Sequence, residues 1–319
     1  MRHCFAAAIA NRENILTEGA LIERIRREYS VPLDPHVVHT SLLYSDQGRQ
    51  ILSTLWREYL DIGRAHEMSM LVCTATWRAT AERLRQAGLP GVKAVSRDAV
   101  AMLAGIRAEY GRYGERVYVG GLLGCRGDAY LPQQALDAEA AERFHSEQAE
   151  ALAAAGVDFL LATPLPALCE ALGMARALAA TGAPYLLNFV LRPNGELLDG
   201  TPLAEAIARI DDEVESPPAA FLAGCTHPAN VCSALAAAES ARPGTCKRLV
   251  GVQGNSSRKS PEELNEGGEL QTGDVEEFVR SMRELRNRFG AHVQGGCCGT
   301  NASYIAALAS DWTAELLDR

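Results

Sequence analysis

Three cysteines near the ends of two predicted strands are the residues whose types and spacing point most directly to chemistry. Cys225 lies in the stretch FLAGCTHPAN, and Cys297 and Cys298 lie in VQGGCCGTN. In both stretches a short apolar run leads through small residues to cysteine and then to a helix start. Three thiolates at the ends of neighbouring strands can hold one Zn²⁺ and leave its fourth position open, as a catalytic zinc site does. An open, thiolate-rich zinc suits the activation of another thiol.

The alternative interpretation of these cysteines is that they fill space in the core, as small apolar residues do. A Cys-Cys pair between Gly-Gly and Gly-Thr weakens that alternative more than a single cysteine would. The chain has nine cysteines, an odd number, and at 319 residues it does not need disulfides to fold. Clustered cysteines in a reducing compartment indicate a metal site or catalysis more often than disulfides.

Composition and charge exclude several classes of partner. With 319 residues and 47% hydrophobic content, the chain can bury a large core, and we expect one barrel domain over residues 1–319. The net charge of −9, with no basic cluster among aromatic residues, argues against a nucleic-acid partner. No stretch approaches the ~20 apolar residues that cross a bilayer, and none resembles a signal peptide. We therefore expect a cytoplasmic protein without a membrane partner.

Short apolar runs alternate with helical patterns along almost the whole chain. Helices are predicted over Glu139–Ala155, Leu168–Ala180 and Asp274–Phe289, each followed closely by glycine. The runs between such patterns are bounded by Gly, Pro or Asp, which is typical of parallel strands buried on both faces. The predicted strands are Asn14–Gly19, Met68–Thr74, Arg116–Leu123, Val157–Ala162, Pro184–Leu191, Ala219–Cys225, Arg248–Gln253 and Ala291–Gly296.

This alternation predicts an α/β fold with a single (β/α)8 TIM-type barrel. A doubly wound open sheet is the alternative, but no glycine-rich phosphate fingerprint follows the first predicted strand. Active sites of such barrels lie at the C-terminal ends of the strands, where all three cysteines fall. Two connections are long for a minimal barrel, Tyr29–Gln47 and the polar Gly254–Gly273, and the second would hang over the same edge.

Several motifs together resemble the homocysteine S-methyltransferase family of zinc-dependent (β/α)8 enzymes, which includes betaine–homocysteine methyltransferase. The motifs are GGCCGT, GCTHP, ILTEGAL, FHSEQAEALAAAGVDFLLATPLP, LLDGTPLAEAI and the GNS that follows the seventh predicted strand. They cover most of the chain in the family's order. The resemblance implies that Cys225, Cys297 and Cys298 are zinc ligands and the catalytic residues.

The sequence departs from the family at the residues that hold the substrate. Glu18 stands where the family has aspartate, and Thr163 stands where a glutamate holds the substrate amino group. The second-strand motif reads Thr74-Ala75-Thr76-Trp77 instead of Thr-Asn-Thr-aromatic, and Gly224 replaces an asparagine. The resemblance therefore implies thiol methylation, while the altered residues place homocysteine itself in doubt as the acceptor.

The predicted substrate-binding residues are Glu18, Thr163, Thr74, Trp77 and Asn255. Trp77, Tyr44 and Phe189 are candidates for an aromatic wall that faces an onium cation. His227 is expected to cap a helix rather than bind metal, and Arg258 is expected to be a solvated loop residue.

The predicted function is transfer of a methyl group from an onium donor to a zinc-activated thiol, with homocysteine as the first candidate. S-methylmethionine, S-adenosylmethionine and a betaine are the candidate donors, because a folate or corrinoid domain does not fit beside a barrel in 319 residues. The alternatives are the same chemistry on another thiol, and a zinc- or thiol-binding barrel without catalysis. The sequence leaves the oligomeric state open, a homo-oligomer included.

Overall fold

Eight short parallel strands close into a barrel. The computed structural model of the protein describes residues 4–244, 247–260, 263 and 273–317. Each strand pairs in parallel with the next, and the last pairs with the first through Val293 and Ile15, so the (β/α)8 barrel is confirmed and an open sheet is excluded. The strands are β1 (Ile15–Thr17), β2 (Ser69–Cys73), β3 (Val117–Leu123), β4 (Phe159–Leu165), β5 (Tyr185–Phe189), β6 (Ala220–Gly224), β7 (Leu249–Gly254) and β8 (Val293–Gly296).

Helices follow most strands and surround the barrel. The helix predicted over Glu139–Ala155 is confirmed within one residue at each end, and Asp137 caps it by accepting a hydrogen bond from the backbone N–H of Ala140. The described helices are α1 (Phe5–Ala10), α2 (Ile22–Glu28), α3 (Asp46–Ala65), α4 (Ala81–Gln86), α5 (Val92–Glu109), α6 (Ala138–Ala154), α7 (Leu168–Ala179), α8 (Leu203–Glu213), α9 (Pro228–Ala241), α10 (Val275–Glu284) and α11 (Ala302–Leu317). None of these helices is both long and apolar enough to cross a bilayer.

Alternate residues of each strand pack into two separate cores. Every strand contributes a side chain to the barrel interior, such as Leu71 of β2 and Phe159 of β4, whereas Met70 packs outward against the helices. Phe5 of α1 stacks on Phe159 with 4.2 Å between ring centroids and meets Tyr118 edge-on at 5.4 Å. Because these rings lie at the starts of β3 and β4, they fill the N-terminal end of the barrel and leave a pocket to the C-terminal end.

The structure differs from the sequence prediction mainly in the connections. β4 continues through Thr163 to Leu165, three residues past its predicted end, with an irregular register against β5. The long connection at 29–47 contains a 3-10 helix, His39–Tyr44, and α10 continues as a π-turn, Leu285–Phe289. Most of the polar connection at 254–273 lies outside the described residues.

Candidate active site

The three predicted cysteines converge at the C-terminal edge of the barrel. Cys225 follows β6, Cys297 and Cys298 follow β8, and β7 lies between these two strands. The Sγ atoms of Cys225 and Cys297 are 3.2 Å apart, those of Cys297 and Cys298 are 3.9 Å apart, and all three lie within 4.8 Å of one another. A tetrahedral zinc with Zn–S bonds of about 2.3 Å requires S–S separations of roughly 3.8 Å. Both the type of donor and its spacing therefore fit Zn²⁺.

Glycines allow this convergence. A Cβ on Gly295 would overlap Thr17, and a Cβ on Gly296 would overlap Thr300, so only glycine lets β8 approach its neighbours here. Thr300 Oγ1 then donates to the carbonyl oxygen of Cys297 at 2.7 Å, which closes the turn carrying the cysteine pair. Cys225 itself has φ of 52°, in the left-handed region that costs a non-glycine residue free energy. Such strain at a reactive side chain is typical of a functional site.

The three thiols differ in the direction in which their pKa values are shifted. Hydrogen bonding from the thiols of Cys225 and Cys298 lowers the pKa of Cys297. Contact with Cys297 raises the pKa of Cys225, contacts with both neighbours raise the pKa of Cys298, and burial adds to both effects. Three adjacent thiolates repel one another in a buried site, so they need a cation to be ionised together.

The thiols face a cavity of about 420 Å³. Its wall includes Glu18 and apolar side chains from β3, β4 and α2, with Leu122, Leu161 and Ile22 among them. Glu18 is only 7% exposed: its Oε1 accepts from the backbone N–H of Cys73 at 3.1 Å, and its Oε2 has no hydrogen-bond partner among the described residues. Burial raises the pKa of Glu18 to about 8, so this carboxyl is largely protonated at neutral pH. The side chain of Trp56 interacts with the same carboxyl, without a geometrically good hydrogen bond.

Thr163 and Trp77, which the sequence predicts to bind substrate, also line this cavity. The indole N–H of Trp77 donates to the carbonyl oxygen of Thr163 at 3.0 Å, which fixes the ring against β4. The guanidinium of Arg78 lies 4.3 Å from the centroid of that ring. One face of Trp77 therefore already carries a cation and is not available to an onium group.

Thr74 and Asn255, which the sequence also predicts to bind substrate, are not among the described residues that line the cavity. The Thr74 hydroxyl pairs with Thr76 Oγ1 at 2.7 Å and accepts from the backbone N–H of Leu122 at 3.1 Å, so it joins β2 to β3. Asn255 is 1% exposed, and its carboxamide interacts with Tyr130 without a geometrically good hydrogen bond to any described residue. Asn255 therefore reaches the site through Tyr130.

Two of the three proposed aromatic wall residues lie elsewhere. Tyr44 donates to Asp98 Oδ2 at 3.1 Å on the outside of the barrel, and Phe189 stacks on Phe221 in the core with 5.6 Å between centroids. His227 caps α9 by accepting from the backbone N–H of Ala229 at 3.2 Å, as the sequence predicts.

Tyr130 and His39 are cavity residues that the sequence analysis did not single out. Tyr130 packs against Cys225 and Cys297, and burial together with the neighbouring thiols raises the pKa of its hydroxyl, which stays a proton donor. His39 is 1% exposed, has no partner for Nδ1 among the described residues, and is neutral because burial lowers its pKa to about 4. Tyr130 sits on a loop, and His39 begins the 3-10 helix in the connection at 29–47, so neither lies in a segment with a periodic pattern. The signal for Tyr130 in the sequence is an aromatic residue between Asp128 and Pro132 in the connection after β3.

The loop that carries Tyr130 is held to α7 by hydrogen bonds from its backbone. Glu170 of α7 accepts from the backbone N–H groups of Arg126 at 2.6 Å and Leu136 at 3.4 Å, and its Oε1 lies 3.0 Å from His145 Nε2. The FHSEQ motif thus supports the pocket without contacting it.

Fold and site together define a (β/α)8 barrel with a candidate cysteine metal centre in the pocket at its C-terminal edge. The chain belongs to the homocysteine S-methyltransferase family, because the family model of that description matches residues 15–311.

Two known proteins illustrate the likeness. The homocysteine S-methyltransferase YbgG of Bacillus subtilis (strain 168) is 26% identical over 191 residues, or 60% of this chain and 58% of that relative. The match thus spans less than two thirds of the curated relative. The apo crystal structure of the homocysteine methyltransferase MmuM from Escherichia coli has a TM-score of 0.67 at 22% identity, over 95% of this chain and 98% of that one. This second likeness is one of fold.

Proposed function

We propose that the protein is a zinc-dependent S-methyltransferase that moves a methyl group from an onium donor to a thiol, with homocysteine as the first acceptor to test. The carrying observation is that the Sγ atoms of Cys225, Cys297 and Cys298 lie within 4.8 Å of one another in the wall of a 420 Å³ pocket. Membership in the homocysteine S-methyltransferase family supports the reaction class. S-methylmethionine, S-adenosylmethionine and a betaine are the proposed donors.

Cys225, Cys297 and Cys298 would hold Zn²⁺ through their thiolates. When bound, the metal would supply Lewis acidity that lowers the pKa of an acceptor thiol at its open position. Tyr130, whose hydroxyl remains protonated beside the sulfur atoms, is placed to donate a hydrogen bond to Cys225.

The acceptor sulfur attacks the donor methyl carbon, and a new S–C bond forms as the bond between methyl and donor breaks. The electron pair of that bond stays on the donor atom, which becomes neutral. An anionic sulfur and a cationic donor lose charge together toward the transition state, and the apolar wall of Leu122, Leu161 and Pro164 favours that change over water. The barrel's part in this step is alignment of sulfur and methyl.

Glu18 is the proposed partner of a cationic substrate group. It is neutral in the empty pocket because burial raises its pKa to about 8, and an ammonium beside its carboxyl would favour the ionised form. Thr163 offers only a hydroxyl where the family places a second carboxylate. That difference favours a second candidate function, methyl transfer to a thiol that lacks the α-ammonium of homocysteine or carries it elsewhere.

The remaining roles follow from position. Trp77 is proposed to contact substrate through its free edge, Thr74 to hold β2 and β3 together, and Asn255 to orient Tyr130. We further propose a cytoplasmic enzyme, because the eight described cysteines are all free thiols. It would consist of one domain and take small-molecule partners. Nucleic acid is not an expected partner, and a homo-oligomer is left open.

The test is a screen of thiols against the three donor classes, with methylated products read by mass spectrometry. Wild type and a Cys169→Ala control, which changes an exposed cysteine outside the cluster, should both methylate at least one thiol. Cys298→Ala should methylate none. Zinc bound by wild type without methyl transfer to any thiol would instead support a binding barrel without catalysis.

A further inference from the structure

A second cavity, of about 520 Å³, adjoins the thiol pocket and is rich in arginine. Arg26 of α2, Arg78 after β2, Arg83 of α4 and Arg126 after β3 all line it, and we call it the arginine pocket. Only two acidic side chains, Glu82 and Asp128, line it with them. A concentration of positive charge stands out in a protein of net charge −9.

The two cavities adjoin each other. Arg26, Trp77, Arg78 and Asp128 line both of them. A molecule that has its reacting end at the three thiols and reaches this shared border would bring its other end to the arginine pocket. Cavities of this size hold small molecules rather than a duplex or a membrane surface.

The arginines are only partly balanced by nearby acids, Glu23 near Arg26 and Glu82 near Arg83. None of the four forms an ion pair with a carboxylate in the part of the chain that the structure describes. Arg78 donates only to backbone carbonyls, of Cys125, Arg126 and Gly127, and Arg83 donates to those of His36 and Arg126. Burial lowers the pKa of Arg83, and the charges of Arg78 and Arg126 act in the same direction while Glu82 acts against them.

Arg26 and Arg126 differ from the other two because both are exposed and neither side chain has a hydrogen-bond partner among the described residues. The side chains of Arg78 and Arg83 bind backbone carbonyls of the neighbouring connections. The guanidinium N–H groups of Arg26 and Arg126 remain available to a bound ligand. Guanidinium groups that converge from separate elements match the oxygens of phosphate and carboxylate groups.

We propose that the arginine pocket binds a multiply charged anionic group, phosphoryl or clustered carboxylate, borne by one of the two substrates at the end remote from the reacting atoms. That the bound molecule is a substrate rests on the proposed methyl transfer. That the site binds an anion rests on the arginine pocket alone. The shared chemistry could be carried by the acceptor thiol or by the onium donor.

Calorimetric titration of the purified protein with inorganic pyrophosphate tests the site directly. Arg26→Gln and Arg126→Gln should each weaken pyrophosphate binding about tenfold, since each removes one charged donor. Arg27→Gln on α2 and Arg85→Gln on α4 are matched controls, because each removes the same charge from the same or a neighbouring element outside both cavities. Each control should stay within about twofold of wild type. Equal affinity in all four variants overturns the proposal.

Matched substrate pairs identify which partner carries the anion. Pantetheine and 4′-phosphopantetheine are compared as acceptors with one donor, and choline and phosphocholine as donors with one thiol. A kcat/KM preference of about tenfold for the phosphorylated member, lost in Arg126→Gln and kept in Arg85→Gln, assigns the anion to that substrate. Methyl transfer without a preference in either pair overturns the proposal. Intact, arginine-dependent pyrophosphate binding without methyl transfer to any thiol supports the anion site and rejects the proposed function instead.

Discussion

His145 Nε2 and Glu170 Oε1 lie 3.0 Å apart in the core, with side chains 0% and 1% exposed. The same carboxylate accepts the backbone N–H of Arg126, so one buried acid joins α6, α7 and the loop that carries Tyr130. Glu170→Ala should therefore cost about 3–5 kcal/mol of unfolding free energy, because the partners stay buried without an acceptor. Urea unfolding measures this loss. Glu213→Ala, which removes an exposed ion-pair partner, should cost under about 1 kcal/mol; equal losses would mean that the Glu170 contacts are not special.

The metal content of the protein follows from the three Sγ atoms. Protein purified under reducing conditions should contain about one zinc ion per chain by elemental analysis. The double variant Cys297→Ala, Cys298→Ala should lose nearly all of it, and Cys169→Ala should lose none. Full zinc retention in the double variant would overturn the assignment of the ligands.

Acceptor choice should depend on Thr163. A buried ammonium that lacks its charged partner costs ~2–5 kcal/mol, so homocysteine should be a weak acceptor for wild type. Thr163→Glu should raise kcat/KM for homocysteine by at least about tenfold with the donor fixed. Thr163→Gln, which has the same shape without the charge, should not. A wild-type value of about 10⁴ M⁻¹s⁻¹ or better, with no gain in the Glu variant, would show that the pocket recognises the amino acid by another route.

Glu18 should make stability depend on pH. Its pKa is about 8 in the folded protein because of burial, whereas 4.5 is the ordinary value that applies in the unfolded chain. Between these values the folded protein holds a proton that the unfolded chain has lost, so unfolding free energy falls as pH rises from about 4.5 to about 8.

Glu18→Gln removes this titration and should gain stability over wild type by at most about 5 kcal/mol between about pH 5 and about pH 9. Urea unfolding of both proteins in the same metal state at the two pH values measures the difference. Glu147→Gln, at an exposed position of α6, is the control and should show no such trend. A parallel pH dependence in Glu18→Gln and wild type would contradict the role of burial at Glu18.

Gly296 should not tolerate a side chain. Gly296→Ala places a methyl group against Thr300 and should lower the unfolding free energy by about 1–3 kcal/mol while reducing zinc content. Gly105→Ala in α5 is the control: a Cβ there meets nothing within 4 Å, so alanine should stabilise the helix by about 0.5–1 kcal/mol. Unchanged zinc content in Gly296→Ala would show that the turn adapts.

The barrel could be predicted from sequence because strands such as Leu249–Gly254 are buried on both faces and read as short apolar runs between turn residues. The cysteines could be predicted to meet because the C-terminal ends of all parallel strands share one edge. The sequence around the cysteine pair is also informative by itself, because the glycines before Cys297 are needed for the close approach of β8 to its neighbours.

The rest of the site could not be predicted because it depends on tertiary contacts. Thr74 directly follows β2, where the sequence predicts the strand to end, yet its hydroxyl pairs with Thr76. Tyr130 and His39 reach the cavity on connections between the regular elements, and the path of the connection after β3 is set by a distant group, Glu170. Trp77 lines the cavity, as its place after the second predicted strand suggests. The position of Arg78 over its ring depends on the path of the following turn and could not be predicted.

The order of the strands also sets when the thiol site can exist. Cys297 and Cys298 follow the last strand, and that strand is held on one side by β7 and on the other by β1. The three sulfur atoms can therefore meet only after β8 has paired with β7, which lies beside β6. During synthesis β8 is made after β6 and β7, so Cys225 has neither partner until β8 has formed. Metal uptake would then report that β8 has joined the sheet, and a chain that stops before β8 would lack the metal site.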